Sequence, residues 1–540
     1  MAEIRLLPPR HSPGRLLTFI IFALAPLAFG ALALWLGQDA NWDLRNYHWY
    51  NAYALLNGRY DFDLLPSQTP WFYNPALDVP FYLLATHVPA KAAGFALGFV
   101  QGLNFILLFM LAYAALIIRN VRGKIAVCTV LATLGMLGGG GVALIGTTFY
   151  DNVTSLGYFL SALLVIHNHH RLMTAQETKA FGLALLFGLP AGLMMGLKLP
   201  GVVFAVGWCF GILAMGGSLR RLLVICFAFG VGVLLGLTIT LGPWAWFLQT
   251  HFGSPLFPYF NGFFHSPLAP ATSARDTQFI PGGLNTLLFP FIFAHNPYSV
   301  GEIPWRDWRI PLLYVLLPAA LILRLALGKV RHQQLFMVPF VGRYLIAAGI
   351  LSYCVWLFMF SIYRYAVPLE MIAPLIIVAA VASLSFNVPA RVTLAAFILL
   401  VAAVSVQSGN WYRRAAWLDR FVEAQVPVLP KDPDLMILMA GIDPYSHVIP
   451  EFPHDIPFVR IQSNFSSPNE NKGINQIIRS RVEGHQGPFI LLITPGQMEA
   501  AAEAMAAFHL TLAGKTCQTV IDRLYDDRPL SLCTVKRQDR

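Results

Sequence analysis
The chain has 540 residues, of which 56% are apolar and only 12% charged, with a mean hydropathy of +0.60. A soluble protein of this length carries about twice that charged fraction, so a soluble globular protein is excluded. The net charge of +10 does not mark a nucleic-acid binder either. Its basic residues gather in short turns between apolar runs, the bias that membrane topology imposes on cytoplasmic loops.

Uncharged runs at 16–37, 92–118, 125–150, 222–250 and 392–409 each reach the roughly 17–25 residues that a spanning helix needs. The first follows Arg5, Arg10 and Arg15, as the core of a secretory signal would. It is long for that role and no small-x-small cleavage site follows, so it reads as a retained helix. The next stretch, "GQDANWDLRNYHWYNAYALLNGR", brings Asp39, Asp43, Arg45 and His48 out among Tyr and Trp. It reads as a helix with Asp43 at its start and Gly58 at its end.

Basic turns then recur at Arg119, Arg122 and Lys124; at Arg171 and Lys179; at Arg220 and Arg221; at Lys329 and Arg331; and at Arg391. With a cytoplasmic N-terminus, helices near 16–37, 95–118, 125–146, 153–168, 180–197, 200–218, 222–243, 310–327, 344–361, 366–385 and 392–408 place every one of these turns inside. The outer face then holds 38–91, a turn at 147–151, the turn at Lys198, a long loop over 243–309, the turn at Arg364 and everything after Gly409. His167, His169 and His170 fall in a solvated cytoplasmic loop, with no carboxylate near enough to suggest a metal. Cys128, Cys209, Cys226 and Cys354 read as inert core thiols.

After Trp411 the apolar runs shorten and charge rises, dividing the chain into a membrane module, 1–410, and an outer domain, 411–540. "LMILMAG" and "FILLITPG" read as buried strands, "NKGINQIIRSRVEG" and "QMEAAAEAMAAF" as helices, giving a small α/β domain. It has no phosphate-cradling glycine pattern and no nucleophile elbow, so it reads as accessory. "CQTVIDRLYDDRPLSLC" forms two alternating strands around a turn at 525–528, setting Cys517 nearly opposite Cys533. A disulfide and a free pair both remain open there; a metal site is disfavoured because no second ligand pair accompanies them.

Charge is sparse enough elsewhere to carry meaning, since a carboxylate in mid-membrane costs about 2.5–3.5 kcal/mol. Asp151 is the sole acidic residue between Asp78 and Glu177, and Glu370 the sole one between Asp307 and Asp419. Asp43, Asp151, Lys198 and Arg364 all fall at outer helix ends, where one cavity would collect them. Blander roles compete at each position. Asp43 and Asp151 suit helix caps, Lys198 and Arg364 suit snorkelling cations, and Tyr47, Trp49, Tyr50, Trp71 and Tyr73 suit a membrane-interface belt.

These motifs resemble a family. "DLRNYHWYNAYALLNGR" is similar to the Asp-x-x-x-Tyr-x-x-x-x-Ala…Gly pattern in the first outer loop of GT-C glycosyltransferases, integral membrane enzymes that include protein O-mannosyltransferases and lipid A aminoarabinose transferases. "WFYNPALDVPFYLL" looks like that family's Pro-Pro-Leu-x-Tyr segment, with Ala76 in place of the second proline. "TTFYDNVTSLGYF", "GLKLPG", "YRYAVPLEMIAPL" and "GSPLFPYFNGFFHSP" resemble its second acidic position, its Lys-x-Pro turn, its late Arg-Tyr turn and a bacterial outer loop. The likeness runs in order over about residues 15–385. It departs where many members carry an Asp-Glu pair, because Leu44 follows Asp43 here.

The resemblance implies a GT-C-like all-α polytopic fold of about eleven spans with the small α/β domain outside, in a bacterial inner membrane. It implies transfer of a monosaccharide from a polyprenyl-phosphate carrier to a hydroxyl on an envelope glycan, lipopolysaccharide, lipid or protein. Asp43 would be the base, with inversion at the anomeric carbon; Lys198 and Arg364 would hold the leaving phosphate; Tyr47, His48, Asp151 and Tyr365 would line the substrate pocket. Asp39 is the competing base. No cofactor is obligatory in this reading, although Asp43 and Asp151 offer the oxygen ligands that suit Mg²⁺ or Mn²⁺. The rival classes are an O-antigen ligase or polysaccharide polymerase, a secondary transporter, and a non-catalytic scaffold. A transporter is disfavoured because internal repeats and mid-membrane polar groups are not seen.

Overall fold
The computed structural model describes residues 4–9, 11–271, 276–327, 336–514 and 516–538. Arg10, Lys329 and Arg331, which belong to the basic segments read from the sequence, lie outside the described residues. Among those described, seven helices are long and apolar enough to cross a membrane: Pro13–Leu36, Ala90–Ala115, Glu177–Leu197, Leu219–Phe252, Arg309–Ala326, Pro339–Met359 and Tyr363–Ala382. Leu199–Ala214 and Val388–Val404 are shorter apolar helices, and Val121–Met136 and Asp151–His167 span 16 and 17 residues. Every span expected from the sequence therefore has a helix, but two ends move by nine residues or more.

The first displaced boundary is at Met136. Glycines 138–141 follow, and each costs a helix about 1 kcal/mol relative to Ala. Their freed amides are taken by buried carboxylates instead: Gly139 N donates to Asp307 Oδ2 at 2.9 Å and Gly141 N to Glu370 Oε1 at 2.8 Å. Tyr363 Oη also donates to Glu370, at 2.8 Å. Glu370 is thus a structural clamp on that turn.

The second is at Pro243, where the outer loop 243–309 was expected to begin. Helix Leu219–Phe252 runs straight through it for 34 residues. A proline in a helix costs about 3 kcal/mol, whereas Trp244, Leu248 and Phe252 are all buried beyond it, each contributing roughly 1.5–3 kcal/mol. Burial wins. Trp244 Nε1 also donates to Phe72 O at 2.8 Å. At 1.5 Å per residue the helix is about 51 Å long, so about 20 Å stands clear of a 30 Å hydrocarbon core.

This long helix packs back to back with Glu177–Leu197 through glycine. A Cβ on Gly188 or Gly192 would sit 2.1 Å from the carbonyl oxygen of Phe229 or Val233, and one on Gly232 would sit 2.0 Å from that of Leu185. Small residues at four-residue spacing allow this backbone approach, which drives helix association in lipid. The pairing fixes where Glu177–Leu197 ends, and so where Lys198 stands.

Nine strands are described. β1 (Gln38–Asp39) pairs antiparallel with β2 (Arg413–Arg414). The remainder, β3 (Ala424–Gln425), β4 (Met436–Met439), β5 (Phe458–Arg460), β6 (Phe489–Ile493), β7 (Leu510–Leu512), β8 (Gln518–Asp522) and β9 (Arg528–Arg537), form one sheet of order β3-β8-β9-β6-β4-β5, with β7 on β9. Its β6-β4-β5 end is parallel. Cys517 and Cys533 form a disulfide across the β8–β9 hairpin.

The sheet does not stand apart from the segment 38–91. Leu64 bridges to Val459, Arg59 donates to the carbonyls of His454 and Ile456, and Arg460 Nε donates to Pro66 O at 2.8 Å. Tyr50, Tyr53, Trp71 and Phe72 share one apolar core with Ile437, Val459 and Leu491. The membrane-belt reading of the outer aromatics is corrected by this packing: Tyr47, Trp49, Tyr50 and Trp71 are buried, and of the five only Tyr73 is exposed. Of the three histidines read as a solvated loop, His170 is exposed as expected, while the other two are corrected. His169 is buried with its ring stacked 3.7 Å from that of Phe340, and His167 Nδ1 lies 2.9 Å from Ile4 O.

Candidate active site at one end of the bundle
The segment after the first span begins with Asn41, whose Oδ1 accepts from Leu44 N at 2.8 Å. Asn41 therefore takes the capping role that Asp43 might have filled, and Asp43 makes no capping bond. Residues Leu44–His48 then wind as a π-helix, a form that recurs where side chains are re-aimed at functional sites. Asp43 Oδ2 accepts from Arg364 Nη1 at 2.8 Å and from Tyr47 Oη at 3.1 Å. Among the described residues Oδ1 has no hydrogen-bond partner.

Asp151 opens helix Asp151–His167 behind Tyr150, whose φ of +62° turns the chain sharply. It makes no side-chain cap; its Oδ2 accepts from Lys198 Nζ at 2.8 Å, and the same ammonium donates to Phe149 O at 2.5 Å. The Arg364 guanidinium lies 4.2 Å from the Phe149 ring centroid and 5.3 Å from that of Trp411. Tyr365 faces both cations, 5.5 Å from Lys198 Nζ and 5.7 Å from Arg364 Cζ. The cations point inward to carboxylates rather than out to an interface, so the snorkelling readings do not describe them. Asp43, Arg364 and Lys198 side chains keep 14%, 14% and 15% exposure, so none of the three is sealed from a ligand.

Burial by itself raises the Asp43 carboxyl, but the charge of Arg364 brings it below the ordinary carboxylate range. It is therefore ionised at neutral pH. Burial holds the Lys198 ammonium below its usual value against the pull of Asp151. Tyr47 is pushed well above its usual value, by burial first and Asp43 second, so its hydroxyl serves as a donor. The cluster thus presents an ionised carboxylate with one unpartnered oxygen beside two cations, each paired with a carboxylate.

Three features escaped the sequence reading. His48 Nδ1 lies 2.7 Å from Asp78 Oδ1, both groups buried; the signal was a lone acid between Leu77 and Val79 in "NPALDVP". Phe149 and Trp411, edge-on to one another at 5.1 Å, together face the Arg364 guanidinium, and only the neighbourhood of Asp151 hinted at the first. Asp39, the competing base, is fully committed elsewhere: Oδ1 accepts from Asn41, and Oδ2 from Thr148 N and Oγ1, both at 2.8 Å. Asp43 and Asp151 each face a protein cation, and among the described residues no group of three or more His, Cys, Asp or Glu is placed to hold a metal ion.

No family model matches the chain, and no curated protein does. Among solved structures, it is similar to the crystal structure of ArnT from Cupriavidus metallidurans in the apo state. That match is 12% identical, covers 96% of this chain and 97% of that one, and has a TM-score of 0.40.

Proposed function
We propose that the chain is a GT-C-type glycosyltransferase that moves a monosaccharide from a polyprenyl-phosphate carrier to a hydroxyl acceptor on an envelope glycan, lipid or protein. The observation that carries this reading is the double ion pair, Asp43–Arg364 and Lys198–Asp151, at 2.8 Å each. It gathers groups from four remote segments of a membrane protein at one end of the bundle. A cleft beside the bilayer with an open carboxylate oxygen and two cations suits a lipid-borne phosphate ester.

In this mechanism the acceptor oxygen attacks the anomeric carbon from the face opposite the phosphate, inverting it. The acceptor proton passes to Asp43 Oδ1 as the new glycosidic bond forms, a contribution of about 10²–10⁴ in rate. The bond from anomeric carbon to phosphate oxygen breaks, and that oxygen keeps the electron pair. Arg364 and Lys198 stabilise the charge it gains, in a cleft that holds little water, with arginine able to grip two phosphate oxygens. Tyr47 and Tyr365 line the sugar, and Asp151 sets the position of Lys198. Asp43's low proton affinity means that it accepts the proton late, when the acceptor oxygen has become acidic.

The cleft would face the periplasm of a bacterial inner membrane, with the domain 411–540 outside and close to the acceptor. No metal step is needed, because both carboxylates are already neutralised by protein cations. The test is turnover of defined polyprenyl-phosphate sugars by the purified protein in lipid nanodiscs. Consumption of a monosaccharide-phosphate carrier supports the reading; consumption of a diphosphate-linked glycan alone, or solute uptake into vesicles, replaces it.

A further inference from the structure
The cluster has an imbalance of charge. Asp43, Asp78 and Asp151 surround it, and Glu302 acts electrostatically on Arg364 and Asp43 from the edge. Only Arg364 and Lys198 among the described residues of the cluster are permanent cations. A phosphodiester entering there would add one more negative charge to a site already short of positive ones.

His48 is the group placed to correct this. Its Nδ1 sits 2.7 Å from Asp78 Oδ1, and a carboxylate there requires the Nδ1–H tautomer. Nε2 is then a bare acceptor, and it is buried with no hydrogen-bond partner. The ring is 93% buried by residue area, its centroid 4.1 Å from Tyr47 and 5.1 Å edge-on from Tyr150. The groups that face it are Tyr47 on its own turn, Asp78 ahead of helix Val79–His87, and Tyr150 ahead of helix Asp151–His167. Asp43 and Lys198 complete the charges around the pair.

We propose that binding of the donor phosphodiester is coupled to uptake of one proton at His48 Nε2, which makes His48 the third cation of the donor site, and that Asp78 is the positioning residue that holds its ring. This inference rests on the glycosyltransferase reading and deepens it. The proton comes from solvent as donor enters and returns to solvent as the carrier leaves. His48 is not the base; it completes the charge that lets an anionic donor settle among carboxylates.

The probe is a farnesyl methyl phosphodiester, whose own charge is constant between about pH 6 and 8.5, the range in which an imidazole titrates. Binding to the full chain in nanodiscs is measured by calorimetry in two buffers of different protonation enthalpy. Wild type takes up about one proton per probe at the upper end, and its affinity falls about tenfold per pH unit there. His48→Gln takes up none and binds with a flat pH profile. Asp78→Asn shifts the fall in affinity to lower pH and regains wild-type affinity in acid, a rescue that structural damage does not produce. Equal proton uptake in wild type and His48→Gln overturns the inference, as does wild-type binding that ignores pH or that needs Mg²⁺ instead of a proton. If His48→Gln does not fold, the wild-type proton count and the Asp78→Asn rescue decide. Failure of wild type to bind any prenyl phosphodiester overturns the glycosyltransferase reading itself.

Discussion
Replacing Asp43 with Asn removes the proposed base while keeping the side chain's shape. The amide oxygen still accepts from Arg364 and Tyr47, so the cleft keeps its geometry, but no group remains to take the acceptor proton. Loss of general-base assistance lowers kcat by about 10²–10⁴, or about 2.7–5.4 kcal/mol at 1.36 kcal/mol per decade. A second cost falls on stability. Arg364 loses its counter-charge between Phe149 and Trp411, and breaking a fully buried pair costs about 3–5 kcal/mol. Both side chains keep 14% exposure, so about 2–3 kcal/mol is expected here. Asp43 is held below the usual carboxylate range, so its share of stability is present above about pH 3.9, the unfolded value. It disappears as pH falls through the lower folded value. The assay pairs initial rates on a labelled carrier with calorimetric carrier binding and a thermal midpoint. The expected result is transfer lost, carrier binding retained and a midpoint less sensitive to acid. Turnover within about threefold of wild type, against the at least hundredfold loss expected of a missing base, would refute the assignment.

Other outcomes follow from the same structure. Lys198→Ala and Arg364→Ala raise KM for the carrier more than they lower acceptor affinity, measurable by titrating each substrate separately. Gly192→Leu places a side chain where Val233 O stands 2.1 Å from the Cβ; it separates the two glycine-paired helices, and folded yield in detergent collapses while a surface control such as Gly182→Leu is tolerated. Cys517→Ser with Cys533→Ser opens a bridge of sequence separation 16 and lowers stability of the sheet domain by about 3 kcal/mol, read as earlier loss of structure on heating.

The positions of the spans were legible because lipid demands long uncharged runs, and the cluster was legible because charge is costly among them. Asp151 and Lys198 stood out by scarcity, Asp43 and Arg364 by their motifs and their places at helix ends, although nothing in their spacing told which carboxylate meets which cation. The course of helix Leu219–Phe252 was not readable, because Pro243 breaks the local pattern and the side chains that override it, Trp244 and Phe252, meet partners from residues 71 and 72. His48 and Asp78 are 30 positions apart across turns with no regular period, so pattern could not join them. The merging of the outer segment with the sheet domain was hidden for a related reason. β1 and β2 have two residues each, too short to show alternation, and the aromatic residues that read as a membrane belt are equally at home in a core.

The pairing of β1 with β2 sets a schedule for biosynthesis. Gln38 and Asp39 leave the ribosome early, yet their strand partners Arg414 and Arg413 emerge only after the last span has been made. Trp411, which flanks Arg364, arrives in the same late stretch, and Gly37 is compressed against Arg414 O with no room for a side chain. The nascent chain therefore carries its carboxylates in an unclosed ring for most of translation, and competence arrives as a terminal latch rather than by increments.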